Sequence, residues 1–191
     1  MIIEKALIKD CLNDNRKAQF KLYKVCYGIL MGVCLRYEKN KEDAEEMLNV
    51  GFLKIVTNLE KYDSQVPFEA WIRRIMMNTI IDAYRRNKKD REHLEYTDFE
   101  EPHFEKESVS YNQAQLDYDA EELLEMIREL PETTGKVFNM HVIEGYSHKE
   151  IAAQLNMSAG TSKWHVSHAR KELKKKIESI VEPQQDKSKT A

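Results

Sequence analysis

Thr161, Trp164, His168 and Lys171 recur at three- and four-residue steps, so on a helix they share one face, with Lys163 and His165 flanking it. Lysines suit phosphates, a hydroxyl and imidazoles suit base edges, and an indole suits apolar contact. That chemistry is DNA reading rather than bond making. Positioning such a face requires a helix pair. Ser147 and Glu150 form an S-x-x-E capping box ahead of Ile151, Ala152 and Leu155. Asn156-Met157 supplies a turn, and Ser158 can cap a second helix. On that helix Ser162, Val166, Ala169, Leu173, Ile177 and Ile180 recur at inward spacing. A helix-turn-helix of this kind places its second helix in a major groove. An ordinary helical hairpin carries the same caps and periodicity, so the rest of the chain decides.

With 191 residues, 41% hydrophobic and 33% charged, the chain fits one medium or two small helical domains. The longest apolar run, Cys26 to Leu35, is too short for a membrane span. Met1 leads into a charged helix, so neither a secretory leader nor direct membrane binding is expected, and the location is expected to be cytoplasmic. Cys11, Cys26 and Cys34 lack CxxC spacing and read as reduced thiols. Cys26, Cys34 and His141 are conceivable metal ligands, but buried packing explains the cysteines better, and no metal or cofactor is expected.

The net charge of −3 hides an uneven distribution. Arg85 to Arg91 holds five basic groups against one acid, and Ser158 to Ile180 holds six against two. Between them, Glu92 to Glu107 holds seven acids and one lysine. Each basic block ends an amphipathic helix, which favours a nucleic-acid surface over a merely solvated one.

The organisation follows from the periodicity. Residues 1–90 read as one helical domain, 91–119 as an acidic flexible linker, 120–182 as a second helical domain, and 183–191 as a disordered tail. In the first, one helix carries Ala18, Leu22, Val25, Cys26, Ile29, Leu30, Val33 and Cys34 inward. The next, Lys41 to Lys61, carries Ala44, Met47, Leu48, Gly51, Phe52, Ile55 and Leu59. After a loop at Tyr62 to Val66, Pro67 opens a helix to about Asn87 with Ile72, Ile75, Met76, Thr79, Ile80 and Ala83 inward. In the second, Leu123, Leu124, Ile127 and Leu130 precede Pro131, and Val137, Phe138, His141 and Val142 precede Gly145. The fold class expected is all-α.

Two further faces carry chemistry. Arg74, Asn78 and Arg85 share a stripe, with Arg73, Asp82 and Arg86 beside it, which suits phosphates and the bases of an opened strand. Trp71 is expected in the core. Glu46, Val50, Leu53 and Thr57 line a second face of the Lys41 helix, where an exposed Val and Leu suit a protein contact.

DAEEMLNVGFLKIVTNLEKYD (Asp43 to Asp63), PFEAWIRRIMMNTIIDAYRR (Pro67 to Arg86) and LPETTGKVFNMHVIEGYSHKEIAAQLNMSAGTSKWHVSHARKEL (Leu130 to Leu173) occur in that order. Together they resemble regions 2 and 4 of bacterial RNA polymerase sigma factors of the extracytoplasmic-function group. The resemblance implies a non-enzymatic initiation factor that binds core polymerase and directs it to promoters, monomeric when free. It implies that Asp43 to Ile55, with Glu46, Asn49, Val50 and Leu53, docks on the clamp of the largest subunit. The second helical domain would meet the flap of the second-largest subunit. Tyr62 to Phe68, with Ser64 and Gln65 at its tip, matches the loop that captures a flipped −10 base. Arg73, Arg74, Asn78 and Asp82 match the −10 helix, with Arg85 and Arg86 beyond them. Lys163, Trp164, Ser167 and His168 match positions that meet the −35 duplex, with Thr161 and Lys171 on the same face. An anti-sigma partner, in some cases membrane-anchored, is a further implication.

The chain departs from the family pattern at Asn49-Val50, where a Gln and an acid are common, and at Trp164 and His168, where small residues or arginine are usual. The rival readings are a polymerase-independent dimeric helix-turn-helix regulator and a helical scaffold or enzyme domain. The first leaves Asp43 to Arg86 without a task. The second finds no clustered nucleophile, metal set or paired carboxylates.

Overall fold

The computed structural model describes residues 3–92 and 120–185, all of whose regular elements are helices. The chain divides into two compact units, residues 1–95 and 96–191. The linker expected at 91–119 lies outside the described residues beyond Glu92.

The first unit contains α1 (Lys5–Leu12), α2 (Arg16–Cys34), α3 (Lys41–Thr57) and α4 (Phe68–Glu92). Asn15 starts α2 by accepting from the backbone N–H groups of Lys17 and Ala18 at 3.0 and 3.2 Å. Asn40 starts α3 by accepting from Asp43 N–H at 2.8 Å. The Lys41 helix stops earlier than its apolar period suggests. The Asn58 side chain donates back to Lys54 O at 2.8 Å, and a 3-10 turn, Leu59–Lys61, drops Leu59 into the core.

Helix α4 is packed by both α2 and α3, so it buries Met77, Ile81 and Tyr84 as well as Ile72, Met76, Thr79 and Ile80. Its inward stripe is therefore wider than the one expected from a single face. Gly51 sits where α3 meets α4, and a Cβ there would fall 2.4 Å from Met76 Sδ. Val25, expected inward, is 38% exposed. Cys11, Cys26 and Cys34 are buried free thiols, and burial pushes Cys26 and Cys34 up to about 12. They act as packing groups rather than thiolates.

The second unit contains α5 (Ala120–Arg128), α6 (Glu132–Phe138), α7 (His148–Leu155) and α8 (Ala159–Gln185). Both α6 and α7 pack on α8, around Leu130, Val137, Phe138, Met140, Ile151, Leu155, Val166 and Ala169. The helix expected to run to Gly145 instead passes into a π-turn, Asn139–Ile143. That change of phase leaves Val142 47% exposed. Gly145 follows at φ +76°, a value that favours glycine. Helix α8 continues to Gln185, so Glu182 to Gln185, expected within or beside the disordered tail, are helical. Pro183 removes a backbone donor without ending the helix there.

Candidate nucleic-acid interface

The helix-turn-helix is built by local hydrogen bonds. Ser147 N–H donates to Glu150 Oε2 at 2.8 Å while Glu150 N–H donates to Ser147 Oγ at 3.3 Å, closing the capping box. Hydrogen bonding from the Ser147 side chain, and then from the Ser147 backbone N–H, holds the Glu150 carboxyl below its usual range. Asn156 takes the left-handed conformation at φ 52°, and Met157 N–H reaches back to Ala152 O at 3.1 Å. Ser158 Oγ accepts from Thr161 N–H at 2.9 Å and starts α8.

The inward residues Ser162, Val166 and Ala169 are buried, which turns the expected DNA face outward. Lys163, Ser167 and Lys171 are exposed, and Trp164 and His168 are half-buried. The Trp164 and His168 rings stack at 4.9 Å with 10° between planes. Thr161 is partly committed elsewhere, its Oγ1 lying 2.8 Å from Ser158 Oγ.

Two histidines brace the motif from behind. His141 Nδ1–H donates to Tyr146 O at 2.8 Å, since a carbonyl can only accept. His141 stacks on His148 at 4.1 Å, and His148 Nδ1 shares a 3.0 Å hydrogen bond with Ser162 Oγ across to α8. Burial, then the neighbouring His141, Lys163 and Arg170, lower the His148 pKa from 6.5. The folded unit thus favours the neutral ring. The stability this contributes is complete above about 6.5 and is lost as pH falls through and below that value. Hydrogen-exchange protection of the α7 amides is expected to drop between about pH 7.5 and about pH 5.5, and to drop less in His148→Gln. Equal drops in both proteins would contradict this.

In the first unit the Tyr62–Val66 loop closes on itself. Asp63 Oδ1 accepts from Gln65 N–H at 2.9 Å, Val66 N–H donates to Asp63 O at 3.0 Å, and Tyr62 O–H donates to Val66 O at 2.8 Å. Ser64 and Gln65 are left exposed on the loop. Tyr62, Phe68 and Trp71 form an aromatic cluster with centroids 5.0 to 5.7 Å apart.

Trp71, expected in the core, is half-buried instead and lines a groove of about 290 Å³ together with Lys54, Asn58, Lys61 and Asn78. The spacing held this signal, because Trp71 stands seven residues, two helical turns, before Asn78. Lys54, Asn58 and Lys61 carry no chemistry in the sequence reading and reach the groove because α3 ends at Thr57. The α4 stripe is not uniform. Arg74, Asn78, Arg85 and Arg86 are exposed, whereas Arg73 is tied to Glu69 at 3.1 Å and Asp82 to Lys54 at 3.3 Å.

On α3, Glu46, Asn49, Val50 and Leu53 stand together on the exposed side. Leu53 is 64% and Val50 42% exposed. Asn49 Oδ1 accepts from Tyr23 O–H at 3.1 Å, which fixes its orientation from α2. Among the described residues no group of three metal-ligating side chains converges, and no helix is long and apolar enough to cross a membrane.

Residues 22–90 match the family model for sigma-70 region 2, and residues 120–173 match that for sigma-70 region 4. The RNA polymerase sigma factor SigZ of Bacillus subtilis is 28% identical over 147 residues, covering 75% of this chain and 77% of that one. The ECF RNA polymerase sigma factor SigW of the same organism is 28% identical over 171 residues, 84% of each chain. Among solved structures, the sigma factor RpoE of Bartonella quintana, crystallised with the anti-sigma factor NepR, shares the fold. It has a TM-score of 0.50 at 17% identity, covering 83% of this chain and 95% of that one.

Proposed function

This chain belongs to the sigma-70 family, in its extracytoplasmic-function group, and is a promoter-directing initiation factor of RNA polymerase; we propose that it acts through the three faces described above. Helix α3 meets core polymerase through Glu46, Asn49, Val50 and Leu53. Helix α4 and the loop before it hold the −10 strand once it opens: Ser64 and Gln65 at the captured base, Arg74, Asn78, Arg85 and Arg86 along bases and phosphates. Arg73 and Asp82, held by Glu69 and Lys54, stiffen that face and exchange partners when DNA arrives. Helix α8 reads the −35 duplex through Thr161, Lys163, Trp164, Ser167, His168 and Lys171. The bodies at residues 1–90 and 120–182 are the working domains, joined by an acidic strap. Bond formation belongs to the polymerase, and the place of action is the cytoplasm with it. An anti-sigma partner would act by covering these same faces.

The observation that carries this reading is the capped helix-turn-helix whose buried Ser162, Val166 and Ala169 force Lys163, Trp164, Ser167 and Lys171 outward. No nucleotide hydrolysis is required. Unstacking a base costs a few kcal/mol, which loop and stripe contacts offset.

Phosphate contact is tested by salt. Each neutralised phosphate contributes about −0.9 to the slope of log affinity against log salt. The double variant Lys163→Ala/Lys171→Ala, in holoenzyme on promoter DNA, is expected to bind more weakly and to lose roughly two such increments. An unchanged slope would rule out phosphate contact by these lysines.

A further inference from the structure

We infer that Trp164 and His168 form a fixed aromatic plate that selects a T·A pair in the upstream duplex element by covering the 5-methyl group of thymine. The inference rests on the proposed role of α8 as the duplex-reading helix.

The plate is held from two sides. His168 stacks on Trp164 one turn along, at 4.9 Å and 10°. The His165 ring meets the indole edge-on at 5.0 Å and 72°. His165 is itself anchored, its Nδ1 lying 2.9 Å from the hydroxyl of Thr134, a buried residue of α6. Trp164 is thus tied through His165 to the core of its unit, and a pre-ordered aromatic loses little conformational entropy when it meets a ligand.

The chemistry of the plate narrows what it can read. Guanine is read best by two donors aimed at O6 and N7. An indole has one N–H and no acceptor, so it cannot reproduce that fork. Lys163 and Lys171, on either side of the plate, are point charges suited to phosphates rather than planar bidentate groups. Thymine is the base whose major-groove edge carries an apolar group. A flat, half-desolvated indole face is complementary to that methyl, and it cannot supply the pair of donors that the guanine edge takes best.

The test uses holoenzyme reconstituted from the full chain and core polymerase, with promoters selected from a randomised library. Each dT of the upstream element is then replaced singly by dU, which removes the methyl and leaves every hydrogen-bonding group. At one position or more, dU is expected to weaken binding by about fourfold, the value of one buried methyl. Trp164→Phe is expected to keep that sensitivity, and Trp164→Ala and Trp164→Gln to lose it. Indifference to dU at every position, or undiminished sensitivity in the alanine and glutamine variants, overturns the inference while leaving the initiation role intact. Failure to initiate on any template overturns the initiation role and the inference with it.

Discussion

Replacing Leu53 with glutamate is expected to raise the dissociation constant for core polymerase roughly a hundredfold while leaving the chain folded. Leu53 is 64% exposed and lies beside Val50 on the outer side of α3, so the core of the first unit does not depend on it. Surface changes of this sort shift stability by about 0.5 kcal/mol or less. An interface does depend on such a side chain, because anchors at the centre of a contact cost about 2–4 kcal/mol when lost. A carboxylate placed there would also have to be desolvated on docking. The check is a binding titration against core polymerase, with the thermal midpoint as control. Unchanged affinity in a folded Leu53→Glu protein would remove α3 from the docking surface.

The double variant Arg74→Ala/Asn78→Ala is expected to separate opening from duplex binding. Both side chains are exposed on α4, and Asn78 lines the groove that also holds Trp71, Lys54 and Lys61. Losing one base contact and one phosphate contact at about 1–3 kcal/mol each should lower the yield of opened promoter on the order of a hundredfold. Holoenzyme assembly should be unaffected, because α3 presents a different set of residues. Retention on a duplex carrying the upstream element alone should be unaffected as well, because that contact is assigned to α8. Permanganate footprinting of unpaired thymines reads the first quantity and gel retention the others. Normal opening by the double variant would contradict the assignment of α4.

How far the sequence reaches depends on whether a feature is local. The caps at Ser147, Glu150 and Ser158 are readable because each is satisfied within three residues, and the structure shows every one of those bonds. The inward residues Ser162, Val166 and Ala169 follow from period alone, and the outward face follows from them. Trp71 is legible only in part: its seven-residue spacing to Asn78 places both on one side of α4, but the spacing does not set how deeply it is buried. Its burial depends on where α3 stops, and α3 stops because the Asn58 side chain turns back to Lys54 O. That bond spans only four residues; what the sequence does not show is the packing of this end of α3 against α4, which delivers Lys54, Asn58 and Lys61 to the groove.

The π-turn at Asn139–Ile143 is a similar case, since nothing in Asn-Met-His-Val-Ile signals a change of phase. Its effect is to turn Val142 outward and to bring His141 under His148. Met77, Ile81 and Tyr84 escaped the periodic reading because α4 is enclosed by two neighbours, and a one-face stripe undercounts a helix packed on two sides. The stacked Trp164 and His168 were visible as neighbours at i and i+4. Their fixation by His165 and Thr134 needed the packing of α6 against α8.

The most direct measurement is run-off transcription by purified core polymerase on a promoter library, with and without the full-length chain. The promoter-directing role requires that the chain bind core enzyme and yield discrete transcripts from a subset of templates that core enzyme alone leaves silent. No association with core enzyme, together with no chain-dependent transcript on any template, would contradict it.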